Sequence, residues 1–315
     1  MNASVPGASQ MGSGGFFNNP AMLAERRAER VDLADGSFLL RSPQPLQPWA
    51  RCVGDWLEHW AREKPDAPAF AEPSGLSRAA VTPGWTSLSW AALRARVGSV
   101  AQALLDLDLA AGAPVVILSD NSLDHLVLML AAMHVGRPAC TVSSAYCRLA
   151  GSDFSRIQGI LEALQPGLLY ASDSATYGAA IRASGSSAPV VFSRGAPDHA
   201  GAIAFETLAA TSETSAVMRA FDSISADTHA KYLLTSGSTG HPKVVINTHG
   251  MLCANQQMIG QTFRFLGVEP PVLLDWLPWS HTFGGNHNVN CVKSSRRCSS
   301  MCPRDTTCSC RRWSR

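Results

Sequence analysis

The segment Thr235-Ser236-Gly237-Ser238-Thr239-Gly240, followed by His241-Pro242-Lys243, concentrates hydroxyls, glycines and one fixed cation in a short space. Apolar residues lead into it (Leu233, Leu234) and out of it (Val244, Val245, Ile246), so a strand runs into a loop and a second strand leaves it. Glycines let the backbone curl until successive N–H groups point inward, the hydroxyls add donors, and the lysine adds positive charge. Together they form a concavity suited to a polyphosphate. The spacing is not that of a Walker A loop, because Lys243 lies three residues past Gly240 and Val244 follows it. The competing reading is a flexible Ser/Gly linker, but a linker seldom starts at a strand end and finishes on Pro-Lys before another strand.

A second segment, Leu274-Asp275-Trp276-Leu277-Pro278-Trp279-Ser280-His281-Thr282-Phe283-Gly284-Gly285-Asn286-His287-Asn288, gathers aromatic rings around a histidine. Trp276, Trp279 and Phe283 are candidates for the flat wall on which an aromatic acid would stack; core packing at a strand end is the alternative. His281 is either a group beside a substrate or a hydrogen-bonded histidine packed next to Trp279 and Phe283. His249 and His287 read as structural histidines.

The elements that must position these segments follow a regular alternation. Apolar periodicity predicts helices over Trp49–Lys64, Ser87–Leu107, Leu123–Val135, Asp153–Leu164 and Ala175–Ala183. Asp120-Asn121-Ser122 supplies an N-cap and Gly136 a stop for the third of these. Between them lie short strands at Pro114–Leu118, Pro138–Val142, Leu168–Ala171 and Val190–Phe192, apolar throughout rather than at every second residue. Such strands, alternating with helices, predict an α/β, doubly wound, mainly parallel sheet covered on both faces. Lys231–Leu234 and Val272–Asp275 are expected to begin a second sheet. Gly185–Ala204 and Thr211–Ser225 contain small polar linkers between elements, and residues 1–45 read as a weakly structured lead-in.

Composition narrows the class. Of 315 residues, 46% are hydrophobic and 16% charged, enough apolar surface for a folded core. The most apolar run, Leu123–Val135, is interrupted by Asp124 and His134 and falls short of the roughly 20 residues a membrane span needs. Residues 1–20 carry no signal-peptide pattern, so a cytoplasmic location is expected. The net charge of +2 conceals an asymmetry. Lys293, Arg296, Arg297, Arg304, Arg311, Arg312 and Arg315 face only Asp305 after residue 290, which leaves the preceding body mildly acidic. That body has no electrostatic reason to hold nucleic acid or an anionic membrane. Cys52, Cys140, Cys147 and Cys253 are scattered singly, as buried reduced thiols would be.

The order of residues from Lys231 to Lys243 resembles the signature loop of the adenylate-forming enzymes, the superfamily of acyl-CoA synthetases, luciferases and peptide-synthetase adenylation domains. The flanks, Val245–Gln257 and Leu274–Asn288, look like those of feruloyl-CoA synthetases, and Asp120–Ser122 with the run to Gly136-Arg137-Pro138 also fits. The resemblance spans roughly residues 45–289. It implies the large N-terminal domain of that fold, truncated midway and without the small C-terminal domain. It also implies ATP with Mg2+, a small-molecule carboxylic acid (an aromatic, ferulate-like one) and coenzyme A as reactants, joined through an acyl-adenylate. By the same resemblance Thr235, Ser236, Gly237, Ser238, Thr239 and Gly240 cradle the β- and γ-phosphates, and Lys243 neutralises the leaving pyrophosphate. Thr239 is then a neighbour of the magnesium ion. His281, with Trp279, Phe283 and Gly284, lies on the acyl side.

The resemblance stops after Asn288. Residues 291–315 hold six Ser, six Arg and five Cys, with no Leu, Ile, Phe or Ala. Three readings compete: a slip of reading frame, a zinc site built on Cys298, Cys302, Cys308 and Cys310, and a basic nucleic-acid or targeting tail. The cysteine spacing is not that of paired knuckles, so no metal site is assigned. A disordered tail over 290–315 is expected. The family's Tyr-Gly-x-Thr-Glu segment, ribose-binding Asp, hinge Arg and C-terminal lysine have no match here, so the 315 residues alone are expected to turn over little or no substrate.

Overall fold

The computed structural model describes residues 22–74, 84–148, 153–195, 201–235, 243–268, 272–295 and 299–301. A short hairpin, β1 (Glu29–Asp32) and β2 (Phe38–Arg41), precedes α1 (Gly54–Glu63), β3 (Pro68–Ser74), β4 (Gly84–Ser89) and α2 (Trp90–Asp106). The alternating section follows: β5 (Val115–Leu118), α3 (Leu123–His134), β6 (Ala139–Val142), α4 (Ala145–Arg148), α5 (Ser155–Leu164), β7 (Leu168–Asp173), α6 (Ser174–Ser184) and β8 (Val190–Arg194). After β9 (Ile203–Ala204), α7 (Phe205–Ala209) and α8 (Ser215–Asp222) come β10 (His229–Thr235), β11 (Lys243–Thr248), α9 (His249–Thr262) and α10 (Phe265–Val268). The last elements are β12 (Leu273–Asp275), a π-helix over Phe283–Asn288, α11 (Val289–Ser295) and β13 (Ser299–Met301).

Seven strands form the central sheet in the order β11-β10-β6-β5-β7-β8-β9. Every pairing is parallel except β10 with β11. From β5 the chain first places β6 on one side, then β7, β8 and β9 on the other, which makes the sheet doubly wound. The wholly apolar strands explain themselves: in β5, Val115 and Ile117 pack into the cluster shared with α2 and α3, while Val116 and Leu118 pack into the cluster shared with α5 and α6. Each such side chain, fully withdrawn from water, stabilises the fold by about 1.5–3 kcal/mol.

The predicted punctuation is present. Ser122 Oγ accepts from the His125 amide at 3.1 Å at the start of α3, and Gly136 (φ +72°) ends it, with Arg137 N donating to Ala132 O at 2.9 Å. The left-handed conformation required there is one glycine adopts without penalty.

Some expectations are corrected. Lys231–Leu234 does not open a second sheet; it joins the first, with Lys231 opposite Ala139 and Tyr232 opposite Cys140, because β6 offers a free parallel edge. Residues 84–89 are a strand paired with β3 rather than the first turn of α2, which starts at Trp90 behind its cap Ser89. The lead-in contains the β1–β2 hairpin. The second of the expected linker spans, Thr211–Ser225, contains α8, held because Val217 and Phe221 are buried, and α7 lies between the two spans with Phe205 and Leu208 buried. Among the described residues past 288, α11 covers Val289–Ser295, and β13 lies between β12 and β3 in a second sheet of order β12-β13-β3-β4. No helix among the described residues is long and apolar enough to cross a membrane. Cys52, Cys140, Cys147, Cys253 and Cys291 are buried, and none of them forms a disulfide among the described residues.

Candidate functional site

Strands β10 and β11 form a hairpin whose open end is the Thr235–Lys243 pair. Thr235 closes β10, Lys243 begins β11, and the Thr235 hydroxyl donates to the Lys243 carbonyl at 3.5 Å. Both residues are exposed. Ser236, Gly237, Ser238, Thr239 and Gly240, with His241 and Pro242, lie outside the described residues. The frame that carries them suits an anion: neither strand of the hairpin contains a carboxylate, and a lysine stands at its mouth. Among the described residues no group of three or more His, Cys, Asp or Glu side chains gathers to hold a metal ion.

The second predicted segment folds as a tight turn leading into the π-helix. His281 N donates to Pro278 O at 3.0 Å, and Gly285 N donates to His281 O at 2.8 Å. The two glycines allow this. A Cβ on Gly284 would meet the Pro278 and Leu277 carbonyl oxygens at 2.6 and 2.8 Å, and one on Gly285 would run into the Trp279 carbonyl. His281 is exposed, and Phe283 (56% exposed) stacks on His287 with centroids 4.6 Å apart. Trp276 is also exposed, at 58%.

Trp279 is placed differently from its expected part in a substrate wall. It is 1% exposed, meets His125 edge-on at 4.9 Å, and donates from Nε1 to Asp275 Oδ2 at 3.3 Å. Its ring therefore anchors the turn from inside, and Trp276 and Phe283 are the aromatic faces left open. His249 is buried with Nδ1 accepting from Val53 N at 3.2 Å, the structural use expected of it.

The structure ties the turn to the hairpin. Lys231 of β10 donates from Nζ to Gly285 O at 2.9 Å; Asn286 Nδ2 donates to Asn247 Oδ1 of β11 at 3.0 Å. From α9, Gln256 Nε2 donates to Asn286 O at 3.3 Å. On the other flank Asn121 bonds twice to the turn, Nδ2 to Leu277 O at 2.8 Å and Oδ1 from Trp279 N at 3.1 Å. The Asp275 carboxylate, buried, accepts also from Leu277 N and from Asn288 Nδ2. None of Lys231, Gln256 and Asp275 was singled out from the sequence. The one available signal was a lysine inside an otherwise apolar strand.

Burial sets the protonation here. His125 is pushed down to about 4 by desolvation, with Lys231 adding to the effect. Its Nδ1 donates to Asp120 O at 3.1 Å and its Nε2 accepts from the Thr141 hydroxyl at 3.0 Å, a pattern a neutral ring satisfies. Lys231 is lowered to about 8 by desolvation, and the Cys140 thiol is raised to about 12 by the same cause.

The doubly wound, mostly parallel α/β sheet, with the His281–Asn288 turn bound to its edge hairpin, matches the arrangement of the adenylate-forming N-terminal domain. The AMP-binding enzyme family profile matches residues 57–314, and the chain belongs to that family. Over 55 residues, 18% of this chain and 8% of the relative, it is 46% identical to the medium-chain-fatty-acid–[acyl-carrier-protein] ligase TtuA of Teredinibacter turnerae. Among solved structures it is similar to ATP-bound MatB from Rhodopseudomonas palustris (TM-score 0.59, 23% identity, 80% of this chain and 45% of that one). It is also similar to a fatty acyl-adenylate ligase from L. pneumophila in complex with acyl adenylate and pyrophosphate (TM-score 0.58, 16% identity, 81% and 40%). The chain thus spans less than half the length of these two structures.

Proposed function

We propose that the protein to which these residues belong joins a carboxylic acid to ATP and then passes the acyl group to a thiol. The observation that carries this reading is the direct bonding of the hairpin that frames the Ser/Thr/Gly loop to the His281–Asn288 turn, through Lys231–Gly285 and Asn247–Asn286. A phosphate site and an acyl site held in one rigid unit are what in-line attack on an α-phosphate requires.

In the proposed reaction a carboxylate oxygen forms a bond to the α-phosphorus as the bond to the bridging oxygen breaks, and pyrophosphate departs with that bond's electron pair. Backbone and hydroxyl donors of Ser236–Gly240, together with Thr235, hold the β- and γ-phosphates, and Lys243 neutralises the charge that grows on the leaving group. Thr239 is the residue that would stand near a Mg2+ ion bound with ATP, and such an ion would supply positive charge to the phosphates. The acid lies along His281, Phe283 and Gly284. Coenzyme A is the proposed thiol: its sulfur bonds to the acyl carbon, the acyl–oxygen bond to AMP breaks, AMP leaves with that bond's electron pair and the thiol proton is released; a cytoplasmic enzyme is the proposed setting.

An aromatic, ferulate-like acid is supported by the open faces of Trp276 and Phe283. A medium-chain fatty acid is the second reading, favoured by the 46% identity to an enzyme named for that substrate. By itself the 315-residue chain is proposed to bind nucleotide without appreciable turnover, and residues 290–315 are proposed to arise from a slip of reading frame. Reading the DNA through codon 289 in the other frames tests the slip.

Isothermal titration of the chain with Mg-ATP, against Lys243→Ala, tests the phosphate site. Loss of a charge-assisted contact worth about 1.5–3 kcal/mol predicts affinity reduced roughly ten- to 150-fold. Equal affinities would refute the assignment. Product analysis with ferulate, octanoate and coenzyme A, on a longer protein containing this segment, then separates the two acids.

A further inference from the structure

Lys231 has an unusual setting for a lysine. It lies in the middle of β10, 1% exposed, on the strand that runs to Thr235, and its Nζ rests on the Gly285 carbonyl at 2.9 Å. Among the described residues, the elements around it supply no carboxylate partner. On β6 it faces the Cys140 thiol, and β11 presents Asn247 opposite it and contains no acid. From α3 it faces His125, which burial keeps neutral; the Asp124 carboxylate of the same helix accepts from Ser193 and pairs with Arg96. The turn brings only the Gly285 carbonyl, because Asp275 is already occupied by Trp279, Leu277 and Asn288. Gly285 is also the residue at which a Cβ would run into the Trp279 backbone carbonyl and lie 2.8 Å from Nζ, so the turn approaches this closely only with glycine there.

We infer that Lys231 is a positioning residue for the acyl-side turn, clamping it from the phosphate-hairpin strand, and that closing the turn over Lys231 displaces a proton from it. The role in positioning the acid rests on the function proposed above; the proton linkage is a property of the chain itself. Proton and closed turn compete: the ammonium keeps its carbonyl acceptor when the turn is shut but loses its water, whereas in the open turn it is solvated. The lowered proton affinity, about 8 against an ordinary 10.5, gives the sign. The open form binds the proton more tightly, so opening is favoured at low pH and falls as pH rises from about 8 towards 10.5.

Amide hydrogen exchange of Gly284–Asn288, corrected for intrinsic rates and compared with the slower β5 amides, measures this opening. In the unaltered chain the opening constant should fall about twentyfold from pH 7.5 to 9.5, a figure set by those two proton affinities. Lys231→Met should abolish the pH step. At pH 9.5, where the amine still donates but methionine does not, the variant's turn should open about tenfold more than the unaltered one. Lys231→Arg, charged throughout, should also be flat. A flat profile in the unaltered chain, or a step retained in Lys231→Met, overturns the inference, and the unaltered profile decides it even where a variant fails to fold. Nucleotide affinity plays no part in this measurement, so its failure is distinct from failure of the phosphate-site assignment.

Discussion

Gly285→Ala is expected to destabilise the chain by about 1.5–5 kcal/mol. The added methyl carbon would fall inside contact distance of the Trp279 carbonyl oxygen, 3.0 Å from its carbon and 2.8 Å from Lys231 Nζ. Neither neighbour yields easily. Trp279 is held at its backbone by Asn121, at its indole by Asp275 and against its ring by His125, while Lys231 is fully enclosed. Overpacking of this kind costs about 1–3 kcal/mol. Pushing the ammonium off its carbonyl costs about 1.5–3 kcal/mol more, and the better helix propensity of alanine returns about 1 kcal/mol. Urea unfolding followed by circular dichroism reads the result as a fall in transition midpoint at unchanged slope. Gly159→Ala, in the middle of α5 with nothing within 4 Å of the new carbon, serves as the reference and should be neutral or stabilising by up to about 1 kcal/mol. If Gly285→Ala behaves like Gly159→Ala, the close approach of the π-helix to Trp279 and Lys231 is wrong.

Other expectations are independent of that glycine. His125, ordinarily near 6.5 and about 4 here, takes up its proton more readily unfolded than folded. Stability should therefore decline as pH falls from about 6.5 to 4, by up to about 3 kcal/mol, and His125→Gln should flatten that part of the pH–stability curve. Leu126→Ala, at a position fully buried between α3 and the sheet, should lower unfolding free energy by about 2–5 kcal/mol in the same urea assay. Trp279→Phe keeps the ring contact with His125 but removes the donor to Asp275 Oδ2; about 1–3 kcal/mol should be lost, and Asp275→Asn should restore part of it.

Much of the central fold was legible because its signals are local. The apolar runs at Val115–Leu118 and Leu168–Ala171, the Ser122 cap and the Gly136 stop each declare an element from a few adjacent residues, and the structure forms all of them. What was misread depended on partners far away in sequence. Gly84–Ser89 is a strand because Pro68–Ser74 lies beside it, and α8 exists because Val217 and Phe221 find α2 and α3 to cover them. Lys231–Leu234 looks the same locally whether it starts a new sheet or extends the old one; only the free edge of β6 decides.

The candidate site divides in the same way. The phosphate chemistry proposed for the Ser/Thr/Gly loop and its lysine rests on residue types alone, since phosphate binding needs donors, backbone freedom and charge within one short stretch. Which aromatic rings face outward could not be read that way, because Trp276, Trp279 and Phe283 differ in solvent exposure only through what the fold lays over them: Asp275, Asn121 and His125 enclose Trp279, whereas Phe283, stacked on His287, stays 56% exposed and Trp276 58%. Nor could the sequence reveal that a lysine 54 residues upstream of Gly285 holds that residue's carbonyl. Short-range composition determines what a segment is able to bind; long-range packing determines which side chains are left to bind it, and where a buried charge must find its partner.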